Sequence, residues 1–251
     1  MCIRDRSGCD RLFLVSSPRI ELDFGSPPTG QGRERDHAAA IDAARRAGVK
    51  HIYYTSLAFA RPSKAGVMRA HIRTEEYLVG LADVRYTVIR EGLYNESWPL
   101  YFGHHDVEGD ERDVVVVAGD SPISWTAIAD LGLANAHVLG ADGEEWAGKT
   151  FYLSNTGEPR SLVDIASMVS RAKGKHVELK VVDRTEHEDF YIKQRGMPEG
   201  FIKWWASSYN ALRKQECLIK DDTFGSILAS RGRRPKRIEE TVTEMVKAAR
   251  D

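Results

Sequence analysis

His51-Ile52-Tyr53-Tyr54-Thr55-Ser56 decides how this 251-residue chain reads. The run is short, holds no glycine or proline and is rich in β-branched and aromatic residues, as in a strand buried on both faces. Before it, Asp36 to Gly48 has helical composition, with Gly48 placed to cap the helix end. After it, Pro62-Ser63 opens a second predicted helix running to about Leu81. Arg11-Leu12-Phe13-Leu14-Val15 and Arg85-Tyr86-Thr87-Val88-Ile89-Arg90 are the strands on either side. Strand, helix, strand, helix, strand at this spacing predicts a parallel α/β sheet with right-handed crossovers. Ligands of such sheets lie at the carboxyl ends of the strands. The ends to watch are Ser16-Ser17, Thr55-Ser56-Leu57-Ala58 and Glu91-Gly92-Leu93-Tyr94-Asn95.

The chain has no glycine-rich phosphate loop of the strand, Gly-x-Gly-x-x-Gly, helix kind. Gly30-Gln31-Gly32 follows no strand, and Arg35 stands where the third glycine belongs. Beyond residue 100, Val114 to Val117, Thr150 to Leu153 and Val177 to Val182 read as strands. Helices are predicted from Leu131 to Leu139, with Asp130 near the start, from Ser161 to about Lys173, and across 186–217. The expected division is 8–140 for a partial Rossmann-like sheet and 141–251 for a smaller C-terminal α+β lobe, to which 95–125 contributes. Met1 to Arg6 resemble translated adapter sequence, and residues 1–7 are expected to be a non-native leader.

Hydrophobic residues make up 42% and charged residues 29%, ordinary for a globular protein. The net charge of -1 gives no global attraction to nucleic acid or anionic membrane. The local cluster Arg231-Gly232-Arg233-Arg234-Pro235-Lys236-Arg237 reads as a solvated connection. Cys2, Cys9 and Cys217 form no Cys-x-x-Cys pair, which fits a reducing compartment, so a cytoplasmic protein is expected. No apolar run approaches the roughly 18 residues of a membrane span, and no signal peptide is evident.

Chemistry concentrates on the second helix. Val67, His71, Thr74, Leu78 and Leu81 share one face, and Glu75 lies four residues from His71. An imidazole beside a carboxylate can orient a substrate or exchange a proton; a satisfied structural histidine is the other reading. Tyr94 and Asn95 follow a strand, at the place of the crevice, whereas Tyr53 and Tyr54 fit core packing as well as a site. His104-His105-Asp106 lacks a third ligand at metal spacing and reads as a loop, so no metal is expected. Neither Gly-x-Ser-x-Gly nor Tyr-x-x-x-Lys occurs, which argues against a serine hydrolase and an ordinary short-chain dehydrogenase.

Four stretches carry a family resemblance: Gly32-Arg33-Glu34-Arg35-Asp36-His37; Gly48 to Phe59; Met68-Arg69-Ala70-His71-Ile72-Arg73-Thr74-Glu75; and Arg90 to Pro99. Ile123-Ser124-Trp125, Asp130-Leu131-Gly132 and Arg233-Arg234-Pro235 extend it. From about Gly8 the chain resembles the NmrA-like family of atypical short-chain dehydrogenase/reductases. The resemblance implies a Rossmann domain, a smaller substrate lobe and NADP as cofactor, or else NAD. Some such proteins reduce quinones or dyes; others are redox-sensing regulators that bind a transcription factor, which would add the nucleus as a location. It implies His71 and Glu75 as catalytic residues, Ser16, Ser17, Thr55, Ser56 and Leu57 at the cofactor, and Tyr94, Asn95 and Thr74 at a small-molecule acceptor. It also implies an earlier portion on the order of 70 residues, judged from βαβ units of at least about 30. That portion would carry the pyrophosphate contacts, so weak cofactor binding, impaired activity and exposed apolar sheet surface are expected of these 251 residues.

Overall fold

The computed structural model describes residues 8–249; the leader suggested for 1–7 lies outside them. Four parallel strands form the main sheet in the order β1 (Arg11–Leu14), β2 (His51–Leu57), β3 (Arg85–Glu91) and β5 (Thr150–Leu153). A two-stranded parallel sheet pairs β4 (Val114–Val117) with β6 (Glu178–Val181). The first six residues of β2 are buried, which is why its sequence is apolar and aromatic without alternation.

Alternation along β2 still separates the two faces of the sheet. Ile52 and Tyr54 pack with Ile41, Ala44 and Leu78 from α1 (Glu34–Arg46) and α2 (Met68–Val79). Tyr53 and Ile89 face α4 (Ile128–Gly140) and α8 (Thr223–Ser230) through Leu131, Ala134, Val138, Phe224 and Leu228. At the open side, β1 pairs with β2, and Val15 just beyond it is 61% exposed.

The other core surrounds Trp98, Phe102, Trp125, Leu162, Trp205, Tyr209 and Val242. It draws on α3 (Trp98–Tyr101), α5 (Leu162–Lys173), α7 (Glu199–Arg213) and α9 (Ile238–Ala248), with α6 (Arg184–Asp189) packed on α7. Trp204 and Trp205 are packing residues of this lobe. Ser161 and Asp164 form the capping box that starts α5, and Gly174 ends it in the left-handed conformation at φ 66°.

The layers do not part at residue 140. β5 and α8, both within the expected C-terminal lobe, return to the main sheet because their apolar faces complete its core. Helix α2 starts at Met68, not near Ser63. Residues 63–66 are held across the lobes instead: the Lys64 N–H donates to Glu216 Oε1 (2.9 Å) and the Gly66 N–H to Ser207 Oγ (2.7 Å). The 186–217 segment is broken by a π-turn at Phe190–Gln194, by Gly196 at φ 67° and by Pro198, which opens α7.

Where β3 leaves the sheet, Gly92 is pressed against Thr126 and Ser154. A Cβ there would lie 2.8 Å from Ser154 Oγ and closer still to Thr126 Oγ1. Gly92→Ala is therefore expected to destabilise the protein by about 1–3 kcal/mol, because both neighbours are buried and hydrogen-bonded. Urea denaturation checks this; an unchanged midpoint would show that the strand end yields.

Candidate functional site

The site begins where β1 ends and its backbone turns out over the carboxyl edge. The Ser16 N–H donates to Thr55 Oγ1 (3.1 Å), and the Ser17 N–H donates to His37 Nε2 on α1 (2.8 Å). A backbone N–H can only donate, so Nε2 of the neutral ring accepts and Nδ1 carries the proton. That proton faces Thr74 Oγ1 at 2.7 Å, and the Thr74 hydroxyl donates onward to the Ala70 carbonyl (2.8 Å). Burial, reinforced by the Arg33 guanidinium, lowers the pKa of His37 to about 4, so it is neutral near pH 7.

Tyr54 joins His37 to His71. Its hydroxyl lies 3.0 Å from His71 Nδ1 and 3.4 Å from His37 Nδ1. Burial, with Arg33 and His37 nearby, holds the pKa of His71 well below its usual value, and burial pushes the Tyr54 phenol up. All three groups are thus uncharged, and proton position along them is set by hydrogen bonding, not by ion pairs.

Glu75 does not pair with His71. Its carboxylate accepts from Ser56 Oγ (2.6 Å), Arg61 Nη1 (2.6 Å), and Arg90 Nε (3.1 Å) and Nη2 (2.7 Å). The four-residue spacing puts both side chains on the sheet side of α2, but His71 meets Tyr54 while Glu75 meets the arginine that ends β3's inward row. Ser56 is spent on this cluster, on the face opposite Thr55.

Thr55 and Tyr94 meet on that other face. Together with Phe13, Val15, Glu91 and Asn135 they line a cavity of about 330 Å³. Glu91 is buried there and accepts from Tyr94 Oη and Asn135 Nδ2, both at 2.7 Å; burial raises its carboxyl pKa. Leu57 packs against the core of the second lobe.

Two residues expected at the acceptor are elsewhere. Asn95 is fully buried and ties the end of β3 to the C-terminal helix, donating to Thr241 Oγ1 (3.1 Å) and the Lys236 carbonyl (3.3 Å). Thr74 is 1% exposed and serves His37. From the sequence no role falls to His37 or Asn135, and Glu91 is marked only as part of a strand end. His37 lies within one of the family-like stretches, but nothing local distinguishes Asn135. Among the described residues no group of three or more His, Cys, Asp or Glu could hold a metal ion. His105 packs beside Asp110 (3.0 Å), next to Arg112.

A parallel sheet with helices on both faces, carrying hydroxyls and neutral rings along its carboxyl edge, is a Rossmann-like α/β architecture. No protein-family model matches the chain. It is 28% identical over 223 residues to an NmrA-like family domain-containing oxidoreductase of Aspergillus flavus, covering 87% of this chain and 69% of the relative. It is 30% identical over 201 residues to quinone oxidoreductase 2 of Escherichia coli, covering 80% of this chain and 64% of the relative. The chain thus spans about two thirds of the length of these relatives. Among solved structures, the triphenylmethane reductase of Citrobacter sp. superimposes with a TM-score of 0.75 at 27% identity, over 98% of this chain and 79% of that one. The NADPH-dependent quinone oxidoreductase of E. coli, solved with NADPH, gives 0.74 at 28%, over 97% and 78%. The chain is thus similar to NmrA-like oxidoreductases of the atypical short-chain dehydrogenase/reductase kind. No helix among the described residues is long and apolar enough to cross a membrane.

Proposed function

We propose that this protein is an NADP-preferring oxidoreductase that reduces a carbonyl, quinone or similar conjugated acceptor. The observation carrying the reading is the uncharged His37–Tyr54–His71 network behind the strand end at Ser16-Ser17. On the opposite face of the sheet edge, a cavity apolar through Phe13 and Val15 and bounded by Thr55 and Tyr94 has room for a flat ring. Ser16, Ser17 and Thr55 would hold the nicotinamide end of the dinucleotide; no strand, glycine loop and helix of the pyrophosphate-binding kind occurs among the described residues. NADPH, when bound, would supply the hydride and leave as NADP+. The E. coli relative, a quinone reductase solved with NADPH, and the Citrobacter triphenylmethane reductase support the assignment by similarity.

In this reading His71 and Tyr54 orient the acceptor oxygen and hand it a proton, while His37 fixes the Tyr54 hydroxyl from the other side. Glu75 acts as a positioning residue: with Arg61 and Arg90 it locks α2 to the sheet. Tyr94, its hydroxyl held by Glu91, lines the cavity on the opposite face of the sheet.

His71→Ala is expected to lower kcat by about tenfold or more, within the usual range for losing an acid–base group, with little change in NADPH affinity. Steady-state kinetics with NADPH and a soluble quinone, beside a fluorescence titration of NADPH, measure both. Unchanged kcat would reject the role of His71. Binding of NADPH without its consumption over quinones, carbonyls and dyes would favour a dinucleotide-sensing regulator acting through a transcription factor.

A further inference from the structure

A second cleft, of about 590 Å³, opens between α2, the 26–29 loop and α7. Lys64, Arg69, Arg73, Arg184 and Lys203 line it, against the single carboxylate of Glu76. Most of these charges are already matched: Arg73 by Glu34 (2.8 Å), Arg184 by Glu188 (2.5 Å), Lys203 by Glu199 (2.5 Å) and Glu76 by Arg61 (2.8 Å). The backbone N–H of Lys64 is held by Glu216, but neither the Lys64 ammonium nor the Arg69 guanidinium has a carboxylate partner among the described residues. The cleft therefore holds two uncompensated positive charges.

A different observation points the same way. Arg69 Nη1 and Trp204 Nε1 are buried without a hydrogen-bond acceptor, and both residues line this cleft. Both orphans are donors. Trp204 is 7% exposed, and its Nε1 edge borders Gly66, where a Cβ would come within 3.1 Å of Nε1 and 3.0 Å of Ser207 Oγ. The indole N–H groups of Trp98, Trp146 and Trp205 also lack acceptors, but of the buried orphans only these two belong to residues of the cleft, where the charge is positive. Their complement is a ligand made only of acceptors and carrying negative charge.

We propose that this cleft binds a small oxyanion with at least two carboxylate or phosphate groups, held by Lys64, Arg69 and the Trp204 indole N–H. Its volume lies in the usual range for small-molecule sites, roughly 300–1,000 Å³. Arg69 and Arg73 each stand two residues from the sheet-facing His71 and Glu75, on the opposite face of α2. The site is therefore separate from the His71 network, and the proposal does not rest on the proposed reductase activity.

Thermal shift and calorimetric titrations with citrate and with inorganic pyrophosphate, against chloride at equal ionic strength, test it. The expected result is a saturable rise in Tm with at least one of them, half-complete in the millimolar range or below. Pyrophosphate alone would assign a phosphate ligand and citrate alone a carboxylate ligand. Arg69→Gln and Lys64→Gln should each weaken binding by about tenfold, the worth of one charge-assisted hydrogen bond. Trp204→Phe, which keeps the packing and deletes the donor, should weaken it severalfold, whereas His71→Ala should leave it unchanged. Lys64 is exposed, so its substitution does not threaten the fold. A rise no larger than that with chloride, or full binding retained by both charge variants, would overturn the proposal.

Discussion

Between pH 6.5 and pH 4 the protein is expected to lose most of its stability. Burial lowers the pKa of His37, His51, His105 and His187 from 6.5 to about 4 and that of His104 to about 3, and it lowers His71 as well. In each case the folded value lies below the unfolded one. The unfolded chain takes up protons from pH 6.5 downward while the fold refuses them, so the stability is whole above pH 6.5 and falls as pH drops towards 4. One histidine with such a shift costs about 3 kcal/mol at pH 4. Two are comparable with the roughly 5–15 kcal/mol that holds a typical domain together. His37 and His187, 1% and 0% exposed, are the clearest contributors. Melting curves at pH 7 and pH 4 decide the matter: a Tm preserved at pH 4 would mean that these rings accept protons inside the fold.

The second large effect is expected from a single buried ion pair. Arg33 and Asp23 have side chains only 4% and 3% exposed, with Nε and Oδ2 2.7 Å apart. The Arg33 N–H also donates to Asp23 Oδ1 (2.9 Å), and its guanidinium reaches the carbonyls of Ser17 (2.9 Å) and Val67 (3.2 Å). One side chain thus ties the strand end, the covering loop and the start of α2 together. Asp23→Ala leaves this cation buried without its counter-charge, which typically costs about 3–5 kcal/mol. For a chain of this length that is roughly 10 °C of melting temperature. The loss should extend to the site, because Ser17 is carried by the same loop. Chemical denaturation of Asp23→Ala beside the native protein measures it, and a loss below about 1 kcal/mol would show that the loop relaxes or admits water.

The main sheet was legible because its signals are local. Apolar runs of strand length, the Gly48 helix end and the Ser161 cap each depend on a few neighbouring residues, and β1, β2, β3, β5, α1 and α5 formed where expected. Residues 62–67 misled because their helical composition is overridden by Glu216 and Ser207, about 150 and 140 positions away. The site was legible in part for the same reason. His71 and Tyr94 could be picked out by helix face and strand end. The partners that define their chemistry come from afar: His37 meets Thr74 across 37 positions, and Asn135 meets Glu91 across 44. Asn95 looked like a crevice residue because it follows a strand. In the structure it is buried, and its amide donates to Thr241, 146 positions on. Glu75 shows the limit of helical spacing, since sharing a face with His71 did not make it a partner.

Turnover tests the reductase assignment most directly. With NADPH at millimolar concentration and a soluble quinone in excess, the native protein should consume NADPH in step with quinone reduction, and His71→Ala should do so about tenfold more slowly or worse. No NADPH consumption above the protein-free rate, with binding of NADPH intact, would contradict it.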